Sequence, residues 1–197
     1  MSVTLNASTS GGFVQSADNS GTVELQSNGT TRLTVASTGA YGQLVQGTAV
    51  ASTSGTSIDF TSIPSWVKRI TILFQGVSTN GTSRVQVQIG SGSFTTSGYD
   101  SFISNIDGSS TSVGSITTGF GWRPTQTAAS FTYGSGVLCL VTGNTWNIAM
   151  STAQTGGFGS YCNGGLALGG VLDRVRLTTV GGVDTFDAGS INILYEG

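Results

Sequence analysis

Hydrophobic and polar residues alternate with a period of two along several segments of this chain. Residues 69–75, 85–89, 146–150 and 191–195 all show this pattern. Because successive side chains of a β-strand point to opposite faces, the alternation predicts strands with one buried face. Residues 137–141 are apolar at every position, which predicts a strand covered on both faces. No segment shows the sustained 3.6-residue period of an amphipathic helix.

Turn-forming pairs that contain glycine adjoin the predicted strands. Glycine adopts positive φ without a Cβ clash, as tight hairpin turns require. Four hairpin signals without a helix predict an all-β fold, with an antiparallel β-sandwich or jelly roll as its main domain. The four pairs are Asn28-Gly29, Asn80-Gly81, Gly143-Asn144 and Gly181-Gly182.

The chain changes character near residues 42–50. Residues 1–45 contain only short alternating pieces and no Trp. A segment of this length buries too little apolar surface to fold alone, so it needs the rest of the chain, copies of itself or a larger assembly. Residues 46–197 contain all three Trp residues and most of the long strands. We therefore expect a small N-terminal β segment followed by one β-sandwich domain.

Composition excludes several classes of function. The chain has no histidine, seven basic and nine acidic residues, and a net charge of −2. Acid–base catalysis concentrates titratable groups, so we expect neither an enzyme nor a cofactor. Phosphate binding needs a basic surface, so we expect no nucleic-acid partner. We also expect no membrane insertion, and synthesis in a cytoplasm without an export signal.

The two cysteines are too few for a disulfide framework. Cys139 lies in the apolar run 137–141, which predicts a buried thiol. Cys162 lies in a glycine-rich stretch, which predicts an accessible one. Free thiols are the favoured interpretation, and a disulfide between the two residues is the alternative.

Two pairs of segments carry a resemblance to a known family. The chain ends with LDRVRLTTV at 172–180 and DTFDAGSINILYE at 184–196, and GTSIDF at 55–60 precedes IPSWVKRIT at 63–71. These segments resemble the ends of a module found in tail-fibre and related virion proteins of tailed bacteriophages. The resemblance brackets residues 46–197. GTVELQSNGTT, near the N-terminus, is similar to short β-repeats that phage fibres use near attachment points.

The resemblance implies a short tail fibre or tail-tip adaptor that attaches the virion to a host surface. It implies a homotrimer in which residues 1–45 serve trimerisation and attachment to other virion proteins. Residues 46–197 would form the head domain, in contact with a host glycan or protein. A head fibre, a capsid decoration protein and a purely structural virion subunit are the alternatives, and a glycan-cleaving depolymerase is a third class.

Aromatic residues are the candidate receptor contacts. Trp122 can stack on a sugar ring, and the adjacent Arg123 can donate hydrogen bonds to hydroxyls or a carboxylate. The alternative is that Phe120 and Trp122 both point into the core. Phe158 and Tyr161 lie in the glycine-rich stretch 156–165, which is either a recognition loop or a plain connector.

Asp184 and Asp187 are the candidate metal ligands. Both lie among glycines near the C-terminus, where loop carboxylates can hold Ca²⁺. Their spacing lacks the alternating acids of a calcium loop. The favoured interpretation is therefore that they accept hydrogen bonds from their own turn backbone and hold no metal.

Overall fold

The computed structural model describes residues 23–27, 30–36, 39–40, 44–108, 110–122 and 127–197. These residues form seventeen strands and no helix, so the predicted all-β class is confirmed. Within the described residues, no helix has the length and apolar character needed to cross a membrane. In chain order the strands are β1 Val23–Ser27, β2 Thr30–Ala36, β3 Gly39–Ala40, β4 Leu44–Gln46, β5 Val50–Ala51, β6 Ser57–Thr61, β7 Arg69–Thr79, β8 Val85–Ser91, β9 Ser93–Phe94, β10 Asp100–Asp107, β11 Ser110–Ile116, β12 Phe120–Gly121, β13 Thr132–Thr142, β14 Thr145–Gln154, β15 Phe158–Ala167, β16 Arg174–Thr179 and β17 Phe186–Glu196.

The chain separates into two units, Met1–Gln43 and Leu44–Gly197. The boundary lies inside the seam expected at residues 42–50, two residues before the predicted division. The reason is that β4 pairs with β17 and so belongs to the second unit. In the first unit, β1, β2 and β3 form an antiparallel sheet. The strands expected on either side of Asn28-Gly29 therefore pair, while these two turn residues lie outside the described residues.

The second unit consists of two antiparallel sheets. The larger sheet has nine strands in the order β11-β10-β15-β14-β13-β7-β17-β4, with β5 also paired to β17. The smaller sheet has five strands in the order β12-β8-β16-β6, with β9 paired to β8. This arrangement confirms the antiparallel β-sandwich, and its jelly-roll form stays a prediction.

The core lies between the inner faces of the two sheets. Alternate positions of the long central strands point into it, as the period of two predicts. The buried side chains include Ile70, Ile72 and Phe74 of β7, Val85, Val87 and Ile89 of β8, Trp146, Ile148 and Met150 of β14, Val175 and Leu177 of β16, and Ile191 and Ile193 of β17.

β13 departs from its prediction. Leu138 is buried, but Val137, Cys139 and Leu140 are only partly buried and Val141 is exposed. The expectation that both faces of this strand are covered is therefore wrong. β13 lies inside the nine-stranded sheet, whose outer face is open, and its outward positions are simply apolar as well.

Two of the four predicted hairpins are instead connections between the sheets. Asn80-Gly81 joins β7 of the larger sheet to β8 of the smaller one. Gly181-Gly182 lies between β16 of the smaller sheet and β17 of the larger one. By contrast, Gly143, with φ 55°, makes the expected hairpin between β13 and β14. A turn signal specifies a reversal of the chain but not the sheet that the next strand joins.

The two connections are bonded to each other. Asn80 N donates to Thr185 O at 2.9 Å, and Thr185 N donates to Asn80 Oδ1 at 2.9 Å. The carboxylate of Asp184 accepts a hydrogen bond from Ser83 N at 2.7 Å. These contacts join the two connections where the chain passes between the sheets, and we refer to residues 80–83 and 184–185 as the corner clasp.

Glycine in β15 permits close strand packing. A Cβ placed on Gly164 would lie 2.1 Å from Asp100 O and 3.1 Å from the ring of Phe120. A Cβ on Gly159, in the same strand, would meet no atom within 4 Å. Strand packing therefore requires glycine at position 164 but not at position 159.

We predict that Gly164→Ala destabilises the protein by about 2 to 3 kcal/mol, because the added methyl group forces β10 and β15 apart. The matched variant Gly159→Ala should stay within about 0.5 kcal/mol of the wild type. Urea unfolding followed by tryptophan fluorescence measures both. Equal effects of the two substitutions would contradict this account.

Candidate functional site

Much of the outer face of the nine-stranded sheet is uncharged. Residues paired across neighbouring strands project to the same face, so the register identifies three parallel rows. The rows are Val113–Ser104–Tyr161–Ser151–Ser135, Ser115–Phe102–Asn163–Ala149–Val137 and Thr111–Ile106–Gly159–Ala153. We call these residues, with the neighbouring Leu73 and Tyr133, the neutral face.

Large apolar side chains on the neutral face are open to solvent. Val113 is 82% exposed, Phe102 66% and Tyr161 47%. Leu73 and Tyr133 lie on the other side of the small residues of β14 and border a groove of about 440 Å³. Exposed apolar side chains grouped on one uncharged sheet face are typical of a surface that contacts another molecule. The surface is therefore suited to packing against another protein.

β10 has the reverse of the usual polarity at several of its positions. Its inward residues Ser101 and Asn105 are buried, whereas its outward residues Phe102 and Ile106 are exposed. Asn105 donates to Ser112 Oγ at 3.2 Å and accepts a hydrogen bond from Ser160 Oγ. The hydrogen bonds make the buried polar groups tolerable, and the exposed apolar residues have no role in the core.

Charged residues lie at the margin of the neutral face. Arg69 and Glu196 form an ion pair of 2.8 Å one row beyond it, on β7 and β17. None of the described residues in the three rows carries a charge. The face therefore offers shape and apolar contact rather than electrostatic steering.

The outer face of the five-stranded sheet is polar. Gln86 and Gln88 project outward from β8, yet they are only 2% and 5% exposed. Thr118 lies close to both side chains: its Oγ1 donates to Gln86 Oε1 at 2.8 Å, and its carbonyl oxygen accepts from Gln88 Nε2 at 2.8 Å. Both glutamines line a cleft of about 280 Å³, together with Thr96, Thr118 and Arg176. We call it the polar cleft.

Arg176 forms another wall of this cleft. Its Nε and Nη2 donate to the two carboxylate oxygens of Asp59, each at 2.7 Å. Its guanidinium also lies 4.0 Å from the ring centroid of Phe94. The hydrogen bonds to Asp59 hold the pKa of Arg176 above its ordinary value. The cation is thus fixed in position and its charge is balanced locally.

Tyr99 holds the segment that carries Phe94 and Thr96. Its hydroxyl accepts a hydrogen bond from Ile89 N at 2.8 Å and donates to Thr95 O at 2.9 Å. Burial raises the pKa of Tyr99, so this hydroxyl keeps its proton. The rim of the cleft is therefore anchored to β8.

Trp122 lies in the core. It is 1% exposed, and its ring centroid lies 4.8 Å from that of Phe74. The hypothesis that Trp122 stacks on a receptor sugar is wrong for this structure, because no face of the indole is accessible. Phe120 is buried as well, as the alternative interpretation expected. Arg123 lies outside the described residues.

Phe158 and Tyr161 belong to a strand rather than a loop. β15 begins at Phe158 and pairs with both β10 and β14. The recognition-loop interpretation of residues 156–165 is therefore incorrect. Phe158 is partly buried, whereas Tyr161 lies on the neutral face with Phe102. The structure does not bring Trp122, Phe158 and Tyr161 together in one site.

The site residues predicted from the sequence did not include Phe102, Val113, Gln86 or Gln88. Phe102 and Val113 lie in a stretch without recognisable motifs, and the exposed apolar positions of β10 and β11 become visible only in the structure. Gln86 and Gln88 lie at positions that alternation assigns to a solvated face. Their burial depends on Thr118, which approaches from a distant part of the sequence.

Asp184 and Asp187 have different environments. The Asp184 carboxylate accepts from the backbone of Ser83, across the corner clasp, rather than from its own turn. Asp187 is exposed. The part of the chain that the structure describes contains no group of three or more His, Cys, Asp or Glu side chains suited to a metal ion.

The two cysteines are free thiols, and their exposure is the reverse of the prediction. Cys162 is fully buried and lies 3.4 Å from Ser101 Oγ, whereas Cys139 is partly exposed. The reason is that Cys162 points inward from β15, while Cys139 points outward from β13. Burial raises the pKa of the Cys162 thiol, which disfavours the reactive thiolate.

Comparisons with protein-family models, curated proteins and solved structures find no match to this chain.

We predict that Asp184→Ala lowers the free energy of unfolding by about 1 to 2 kcal/mol, because it removes a hydrogen bond of the corner clasp. Asp187→Ala in the same segment is the control and should change stability by less than about 0.5 kcal/mol. Urea unfolding, run with calcium and with a chelator, measures both. A calcium-dependent midpoint in the wild type would instead indicate that these carboxylates hold a cation.

We predict that one thiol of the native protein reacts readily with a disulfide reagent at pH 8, and that this thiol is Cys139. Cys162 should react only after unfolding, because it is inaccessible and its raised pKa keeps it protonated. Absorbance of the released thiolate counts the reacting groups. Cys139→Ser should abolish the native reaction, and a persisting fast phase in that variant would contradict the assignment.

Proposed function

We propose that this chain is a virion protein of a tailed bacteriophage that attaches the particle to its host. The observation that carries the proposal is the neutral face, a broad exposed surface without charge or catalytic groups. It supports a function in protein packing and adhesion. The resemblance of residues 55–71 and 172–196 to phage fibre proteins supplies the virion context.

The size of the neutral face supports assembly with other subunits. Strand spacing and residue rise give its six strands an area on the order of 600 Å². A stable protein interface covers roughly 800 Å² on each partner. We assign the face to contacts between copies in a homotrimer, which residues 1–45 join to other virion proteins.

The chemistry of the described residues supports binding over catalysis. The charged side chains beside the polar cleft, Arg176 and Asp59, neutralise each other. We therefore assign no enzymatic activity and no cofactor to the chain.

Adhesion by such a protein would depend on copy number. Several weak contacts that act together on one particle give high avidity without a high affinity at any single site. A trimer present in several copies meets this condition. The proposed location is the virion tail, where the head domain can face the host.

A head fibre, a capsid decoration protein or a purely structural subunit is the second candidate. The neutral face supports this second candidate as strongly as the first, because such a surface also suits permanent packing against a capsid or tail neighbour. The two candidates differ in location and in the need for a host ligand.

Antibodies raised against the purified chain test the proposal on particles of the phage that encodes it. Gold label at the tail, together with inhibition of host adsorption by the purified chain, supports attachment. Label on the head without inhibition supports the second candidate. Particles that carry neither label nor the chain by mass spectrometry would overturn the virion assignment.

We predict that the purified chain is a trimer by light scattering, and that Phe102→Ser combined with Val113→Ser weakens it at least tenfold. Each substitution removes exposed apolar area worth on the order of 1 kcal/mol when buried in an interface. Val183→Ser, an exposed residue outside the neutral face, is the control. An unchanged trimer in the double variant would exclude the face from assembly.

A further inference from the structure

The polar cleft has features of a ligand site. Gln86 and Gln88 lie on the outer face of the five-stranded sheet, where alternation places solvated side chains, yet both are more than nine-tenths buried. They line the cleft of about 280 Å³ together with Thr96, Thr118 and Arg176. Buried amides at the base of an open cleft are costly unless the protein or a ligand satisfies their hydrogen-bonding groups.

The hydrogen-bonding capacity of the cleft is only partly used. A carboxamide offers two donors and an acceptor with two lone pairs. Within the described residues, Gln88 makes one side-chain hydrogen bond, from Nε2 to Thr118 O at 2.8 Å, and its Oε1 receives none. Gln86 Nε2 has only a long contact of 3.5 Å to Thr179 O. Donors and acceptors therefore remain for a ligand.

The cleft is held rigid by its surroundings. Thr118 bonds to both glutamines, and Asp59 fixes the guanidinium of Arg176 with two hydrogen bonds. Thr178 Oγ1 donates to Thr56 O at 2.8 Å, which leaves its oxygen as an acceptor. Groups that are already ordered lose little entropy when a ligand binds.

The balance of charge selects the class of ligand. Arg176 is the cation of the cleft, and its bidentate pairing with Asp59 cancels the charge that an acidic sugar or a phosphate would need. The other polar lining groups are neutral amides, hydroxyls and backbone. Such groups match hydroxyl groups, which both donate and accept hydrogen bonds.

We propose that this cleft binds a neutral pyranose unit of a glycan. Its volume lies just below the range of sites for drug-sized molecules, which limits it to about one sugar ring. Gly181 and Gly182 border the cleft without side chains and leave it open to a longer chain. The identification of this glycan with a host receptor rests on the proposed function, whereas binding of a free sugar does not.

The test is an NMR titration of the full-length protein with methyl glucoside, methyl galactoside and methyl mannoside. We expect at least one of them to shift the side-chain NH₂ signals of Gln86 and Gln88 in a saturable way. Methyl glucuronide, which carries a carboxylate, should bind at least tenfold more weakly. No shift with any neutral sugar at 50 mM, or tighter binding of the acidic sugar, would overturn the proposal.

Variants locate the site. Gln88→Leu should weaken binding at least tenfold, because it leaves a sugar hydroxyl without its partner. Thr96→Phe fills the exposed rim without removing a buried contact and provides the same test if Gln88→Leu disturbs folding. Gln46→Leu on the exposed strand β4 is the matched control and should bind normally.

Binding that survives both Gln88→Leu and Thr96→Phe would overturn the assignment to this cleft. Neither result changes the proposed function, because gold labelling of particles tests the virion role without reference to any sugar. Conversely, a saturable shift would establish the cleft even if the chain were absent from the particles.

Discussion

The contact between two apolar inner faces is the constraint on which the rest of this structure depends. Nine strands on one side and five on the other share a single core, and the long central strands contribute alternate residues to it. On β7, Ile70, Ile72 and Phe74 meet this demand. The outward positions between them do not have to be apolar. The two outer faces differ in chemistry: the neutral face carries exposed apolar side chains among small uncharged ones, and the other face lines a polar cleft.

The fold was largely predictable because this constraint is local in sequence. A period of two is visible in β7, β8, β14 and β17 without knowledge of the partner strands. The pairing of strands was harder to predict. Asn80-Gly81 satisfies a hairpin and a connection between sheets equally well, and the contact that fixes the outcome joins Asn80 to Thr185, far along the chain.

The candidate sites were less predictable, since burial depends on contacts that no short motif encodes. Glycines at 156–165 suggested a loop, but Gly164 is needed where β15 approaches Asp100. Trp122 was predicted to contact a receptor at the surface, but it is buried in the core. On β10, Asn105 is buried with its amide hydrogen-bonded, and Phe102 is exposed. Hydrophobicity alone would place Phe102 in the core and Asn105 on the surface.

The separation of the two outer faces has an evolutionary consequence. The residues of the neutral face and those of the polar cleft belong to different sheets and have none in common. Substitutions in one set leave the packing of the other unchanged, since additivity holds for distant sites. A lineage could therefore exchange the cleft residues and acquire a new ligand while its subunit contacts stayed as they were.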